Sequence, residues 1–201
     1  MSSAEVDTDD AIMEATLQAV CRHGFADLTM QDIADEFEKS KSLLHYHYDT
    51  KEDLLVAFLE HLVDEFEAYL NRLDDAESPP EERLREYIDG FTLDPEETER
   101  ASLHLALLEL RSQAQWNDRF RDQFRRSDRM ARRAFADLIE EGQRTGRFDR
   151  DADAGALARL LFATMDGGRA RQLTLGEDGY ADAVATTLFE TVIEPLLVES
   201  R

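Results

Sequence analysis

The sequence predicts an all-α fold of about nine helices. Three observations carry the prediction. Apolar residues recur at i, i+3 and i+4 along almost the whole chain, the spacing of one buried helix face. Period-2 alternation of Val, Ile and Thr, the mark of a half-buried strand, is absent from the sequence. Turn signals at Gly24, Ser78-Pro79-Pro80, Gly142 to Gly146 and Gly176 to Gly179 cut the chain into pieces of helical length.

The first helix is expected over residues 8 or 9 to 23, burying Ile12, Ala15, Leu17, Ala19 and Val20. Asp9 and Asp10 suit its positive end, and Gly24 its stop. A second short helix opens at Thr29, whose hydroxyl can cap amides two or three residues on, and turns Ile33, Ala34 and Phe37 inward. Ser40 offers a cap for a third short helix through Tyr48. Thr50 with Asp53 three residues on reads as a capping box for a fourth. Its stripe of Leu54, Leu55, Phe58, Leu62, Phe66, Tyr69 and Leu73 runs over roughly 24 residues, about 36 Å of helix.

Pro79-Pro80 stops that helix and starts the next, and Pro95 suits a first helical turn after Asp94 as cap. Residues 101–110 (ASLHLALLEL) are apolar nearly all round, which predicts a helix buried on most sides. An amphipathic helix over 117–142 and two last helices over 152–175 and 180–198 complete the chain. The expected division is residues 1–54 and 55–201, joined by the fourth helix from about residue 50.

Composition excludes several classes. The 201 residues hold 45 Asp+Glu against 23 Lys+Arg, a net charge of −22, yet 42% are hydrophobic, enough for a real core. Cys21 is the single cysteine, which excludes a disulfide framework and a cysteine-ligated zinc. No apolar run approaches the ~20 residues of a membrane span, and the start is acidic, so a cytoplasmic protein without membrane partners is expected. Only three basic residues are lysine, a balance that suits a surface solvated at multimolar salt and predicts halophilic adaptation. No nucleophile triad, P-loop or GxGxxG is present, His45 and His47 do not share a helix face, and His61 with Glu65 is an ordinary solvent pair. Neither an enzyme, a metal site nor a cofactor is expected.

The chemistry concentrates in residues 28–54, LTMQDIADEFEKSKSLLHYHYDTKEDL. Two short helices meeting near Phe37 to Ser40 have the arrangement of a helix-turn-helix, whose second helix enters the major groove. All three lysines, Lys39, Lys41 and Lys51, fall here, and residues 39–48 contain no Asp or Glu. Such a stretch, in so acidic a chain, is suited to DNA phosphates. Ser40, Lys41, Ser42 and His45 stand near the start of the second helix, and Leu43 can touch a thymine methyl.

The segment resembles the N-terminal signature of TetR-family transcriptional regulators. The matching residues are Thr29, Ile33-Ala34, Ser40, Tyr46-His47-Tyr48 and Lys51-Glu52-Asp53-Leu54. Two departures are Glu38, where the family usually has Gly in the turn, and Ser42, where it often has Gly or Pro. The resemblance implies that Thr29 contacts phosphate, that Lys41, Ser42, Leu43 and His45 face the groove, and that Tyr46, His47 and Lys51 grip the DNA backbone. It also implies a homodimer on a palindromic operator, usually a repressor, released by a small-molecule effector bound in the C-terminal part.

The rest of the sequence permits both roles. The last helix carries Ala183, Val184, Thr187, Leu188, Thr191, Val192 and Leu196, and the helix before it is rich in Gly and Ala, so the two can build a four-helix dimer interface. Polar groups among apolar neighbours give His104, Glu109, Trp116, Phe120, Phe162, Met165, Asp166 and Arg169 as ligand-binding candidates, with Asp166 and Arg169 able to pair. Residues 111–133 hold eight arginines against three acids, which can draw an anionic effector. The competing reading is a helical adaptor that binds protein through residues 101–110 and no DNA.

Overall fold

The computed structural model describes residues 3–37, 41–74, 76–93 and 97–198. Among them are nine α-helices: α1 Ser3–Asp27, α2 Met30–Glu36, α3 Lys41–His47, α4 Lys51–Asp74, α5 Pro80–Asp89, α6 Thr98–Gln113, α7 Asp118–Arg144, α8 Ala154–Leu175 and α9 Tyr180–Leu188. The described residues form no strand; a single antiparallel bridge joins Phe148 and Leu197. Glu38 to Ser40, Asp94 and Pro95 lie outside the described residues. The chain divides into two compact units, residues 1–65 with 98–125, and residues 66–97 with 126–201, so α4 and α7 each contribute to both.

The first unit forms around α1. Ile12, Ala19, Ile33, Leu44 and Leu54 are fully buried in its core, and Phe58, Ala106, Leu110 and Phe120 close it. Gly24 does not end α1 but breaks it: its φ of 67° and ψ of 175° turn the chain, and residues 25–27 follow as a further helical turn. That left-handed φ is open to glycine at little cost. At the start of α2, Asp32 N–H donates to Thr29 Oγ1 at 3.2 Å while Asp32 Oδ2 accepts from Thr29 N–H at 2.8 Å, a complete capping box. The Thr50–Asp53 pair opens α4 in the same way, with Asp53 N–H 3.1 Å from Thr50 Oγ1. Residues 101–110 are less buried than their composition suggests. Ala106 and Leu110 are enclosed, their neighbours are half-buried and Leu105 is exposed, because α6 packs one face on α1 within this unit.

The second unit buries Leu84, Tyr87, Phe91, Phe135, Ile139, Leu161, Met165 and Ile193. The ring of Phe148 lies so close to Gly142 that a Cβ there would stand 2.1 Å from it. Asp153 caps α8 through the Ala156 amide at 2.9 Å, and Gly176, with φ 66°, ends it. Buried Gln172 ties α8 to its neighbours, accepting from Ala181 N–H at 2.9 Å and donating to Leu93 O at 3.3 Å. The last helix is not continuous over 180–198. It passes from α9 into a π turn, Phe189–Ile193, and a 3₁₀ turn, Glu194–Leu196. Pro195 has no N–H to continue the α ladder, so the chain changes its hydrogen-bond step there.

Candidate DNA-binding surface and effector cavity

Helix α3 divides its residues by the helical period. Leu44 points into the core with no exposed surface, while Ser42, His45 and Tyr46 face solvent and Leu43 is half-buried. Tyr46 is 84% exposed, an unusual position for so large a ring. Ser40 lies outside the described residues, and Lys41 is described only as the first residue of α3. His47 is half-buried, its Nδ1 3.4 Å from Asp9 Oδ1 on α1, and packs edge-on to Tyr46 with centroids 5.6 Å apart.

Two residues at the edge of this surface are engaged within the unit. Thr29 is exposed, but its hydroxyl donates to Asp32 Oδ2 at 2.6 Å. The hydrogen bonds from Thr29 hold the Asp32 carboxyl below its ordinary range. Lys51 Nζ donates to Leu28 O at 2.7 Å and stands 5.1 Å from the centre of the Phe25 ring. Lys51 therefore fixes the chain just before α2 from the first turn of α4. Arg119 Nη1, 2.7 Å from Asp53 Oδ1, reaches the same turn from α7; the Thr50 hydroxyl, and after it Arg119, keeps the Asp53 carboxyl low.

The eight ligand candidates fall in both units. In the first, Glu109 Oε2 accepts from Phe25 N–H at 2.7 Å, and Phe120 is buried edge-on to Phe25 at 6.5 Å. His104 is half-buried on α6, and Trp116 is 74% exposed beyond its end. In the second unit, Met165 is fully buried and Phe162 packs edge-on to Phe91 at 6.1 Å. Arg169 pairs with Asp166 at 3.3 Å and covers the Phe91 ring at 5.0 Å.

An open cavity of about 670 Å³ lies elsewhere in the second unit, lined by α4, α7 and α8, and none of the eight lines it. Leu70, Leu73, Met130, Ala134, Leu138 and Ala158 supply its apolar wall, and four arginines its polar one. The size suits a small organic molecule. Sequence reading missed this set because its members sit on three helices. The one signal was the arginine-rich run, which includes Arg129, Arg132 and Arg133. Among the described residues no cluster of three or more His, Cys, Asp or Glu is placed to hold a metal, and no helix is long and apolar enough to cross a membrane.

A helix-turn-helix that presents its second helix to solvent, carried with a second all-helical unit, defines a DNA-binding transcriptional regulator. Residues 12–58 match the family described as bacterial regulatory proteins, tetR family, and residues 80–198 match the BetI-type transcriptional repressor C-terminal family. A TetR transcription regulator from Haloarcula marismortui has a similar structure, with a TM-score of 0.85, 37% identity and coverage of 96% of this chain and 100% of that one. A transcriptional regulator from Saccharomonospora viridis, solved in complex with choline, is 26% identical over 96% of this chain and 100% of its own, with a TM-score of 0.80. The HTH-type transcriptional repressor DhaR of Mycobacterium sp. (strain GP1) is 28% identical over 189 residues, 90% of each protein. The chain belongs to the TetR family of transcriptional regulators.

Proposed function

We propose that this protein is a cytoplasmic repressor that binds a palindromic operator as a homodimer and leaves it when a small molecule binds. Residues 1–54 bind DNA in this reading, and residues 55–201 hold the effector and dimerise. The observation that carries it is the solvent face of α3. Ser42, His45 and Tyr46 are exposed side by side in a stretch without carboxylates, in a chain of net charge −22. Lys41, Ser42, Leu43 and His45 read base edges or nearby phosphates, and Tyr46 reaches the backbone. His47 and Lys51 act through α3 and the α2 start that they hold in place.

Dimerisation through α8 and α9 is supported by a row of small or apolar residues facing solvent: Ala156, Leu160, Ala163 and Gly167 on α8, and Ala183 on α9. A two-fold arrangement of α3 helices would match two half-sites one helical turn apart. DhaR, named a repressor, supports the sign of regulation, and the choline-bound structure supports small-molecule control. The test is retardation of a palindromic duplex selected by the protein, repeated with His45→Ala and Tyr46→Ala. Each variant should keep its helicity and weaken binding about tenfold, the loss of a contact or two.

A further inference from the structure

Four arginines line the cavity of the second unit, and three carboxylates join them: Glu67, Asp74 and Asp137. Each carboxylate has a guanidinium partner. Glu67 accepts from Arg126 at 2.7 Å, Asp137 holds Arg133 through Oδ1 at 2.7 Å, and Asp74 Oδ1 lies 3.8 Å from Arg83. The remaining three arginines have no carboxylate partner among the described residues. Arg132 gives only its Nε, to Asp128 O at 3.1 Å, while the side chains of Arg129 and Arg159 make no hydrogen bond or ion pair among the described residues. In a chain with 45 acids, three such cations around one cavity are conspicuous.

The wall between them is apolar, from Leu70, Leu73, Met130, Ala134, Leu138 and Ala158. Guanidinium groups bind carboxylate and phosphate through paired N–H donors, and an apolar wall takes hydrocarbon. A quaternary ammonium needs aromatic faces, and no aromatic side chain lines this cavity. We infer that the cavity binds an amphipathic organic anion, with a carboxylate or phosphate head among Arg129, Arg132 and Arg159 and an apolar tail against Leu70, Met130 and Leu138. This inference names the class of effector and rests on the proposed small-molecule control.

Calorimetric titration of the full chain with four ten-carbon probes tests it: decanoate, decyl phosphate, decanol and decyltrimethylammonium. At least one anion should bind tenfold or more tightly than decanol, and the ammonium more weakly still. Arg129→Gln with Arg159→Gln should lose about tenfold or more in affinity for the anion and keep that for decanol, because a hydrogen bond to a charged group contributes that much. Both side chains are exposed, so the variant should retain its helicity. Decanol or the ammonium binding as tightly as the anions, an unchanged affinity in the double variant, or no binding of any probe would overturn the inference. Retardation of operator DNA with each probe present separates the two readings. An anion that binds as expected without releasing DNA upholds the ligand class and overturns its role as effector. A wild-type chain that retards operator DNA but binds neither anion overturns the ligand class alone.

Discussion

The Glu109 carboxylate, on α6, accepts the Phe25 amide at 2.7 Å, one residue past the break that Gly24 puts in α1. A broken helix leaves its next amides without an intrahelical acceptor, and a half-buried amide without a partner is costly. Glu109 supplies that acceptor, Phe120 packs on the Phe25 ring, and Lys51 takes up the Leu28 carbonyl. Residues 25–28, which lead into α2, are thus fixed by contacts from α6, α7 and α4.

Glu109→Ala should therefore cost about 1.5–3 kcal/mol, the range for hydrogen bonds to charged groups. DNA affinity should fall with it, because the start of α2 loses its support. Urea unfolding and retardation of the same variant check both effects. Wild-type stability in this variant would remove Glu109 from the account.

Arg83 is 3% exposed, and its guanidinium pairs with Glu141 on α7 and donates to Asp74 O at 3.0 Å. Glu141→Ala would leave the buried charge with only the Asp74 carbonyl and the exposed Asp74 carboxylate 3.8 Å away. The expected loss is about 3–5 kcal/mol, the cost of breaking a buried pair from one side. Thermal unfolding of Glu141→Ala beside Arg83→Met should show the second variant less damaged, since it removes the charge itself.

Burial raises the Tyr87 hydroxyl far above its ordinary value, and its proton is donated to Ala131 O at 3.2 Å. The folded state thus holds this proton after the unfolded chain has released it. Stability is complete below an unfolded pKa of about 10 and declines as pH rises above it, by about 1.4 kcal/mol per pH unit. Tyr87→Phe should lose about 1 kcal/mol at neutral pH and show a shallower alkaline decline. Denaturant midpoints between pH 8 and 11 measure both.

Much of this was legible in the sequence, and the exceptions have physical causes. The Thr29–Asp32 and Thr50–Asp53 caps are local, so three-residue spacing shows them. The inward Ile33, Ala34 and Phe37 of the helix-turn-helix follow from period alone. Glu109 and Lys51 did not show their structural bonds, because these reach residues 84 and 23 positions away. A carboxylate inside an apolar helix reads the same whether it meets a ligand or a broken backbone. The cavity is likewise formed by residues from three helices, and periodicity cannot assign which arginine turns toward it.

The proposed dimer interface has a discriminating pair of variants. Leu160 is 49% exposed on α8, whereas Leu188, on the face that the sequence suggests for dimerisation, is 7% exposed and packed into the core of its own unit. Leu160→Glu should lower the association constant while thermal stability at low protein concentration stays near wild type. Leu188→Asp should instead destabilise the fold by several kcal/mol, the cost of burying an unpaired charge. Sedimentation velocity with calorimetry separates these outcomes.

The central claim, that the α3 face reads DNA, is tested most directly by selection from random duplexes using the full chain. The wild type should enrich a palindromic sequence, and His45→Ala combined with Tyr46→Ala should enrich none while keeping wild-type helicity. Recovery of the same sequence by the double variant, or of none by the wild type, would contradict the account.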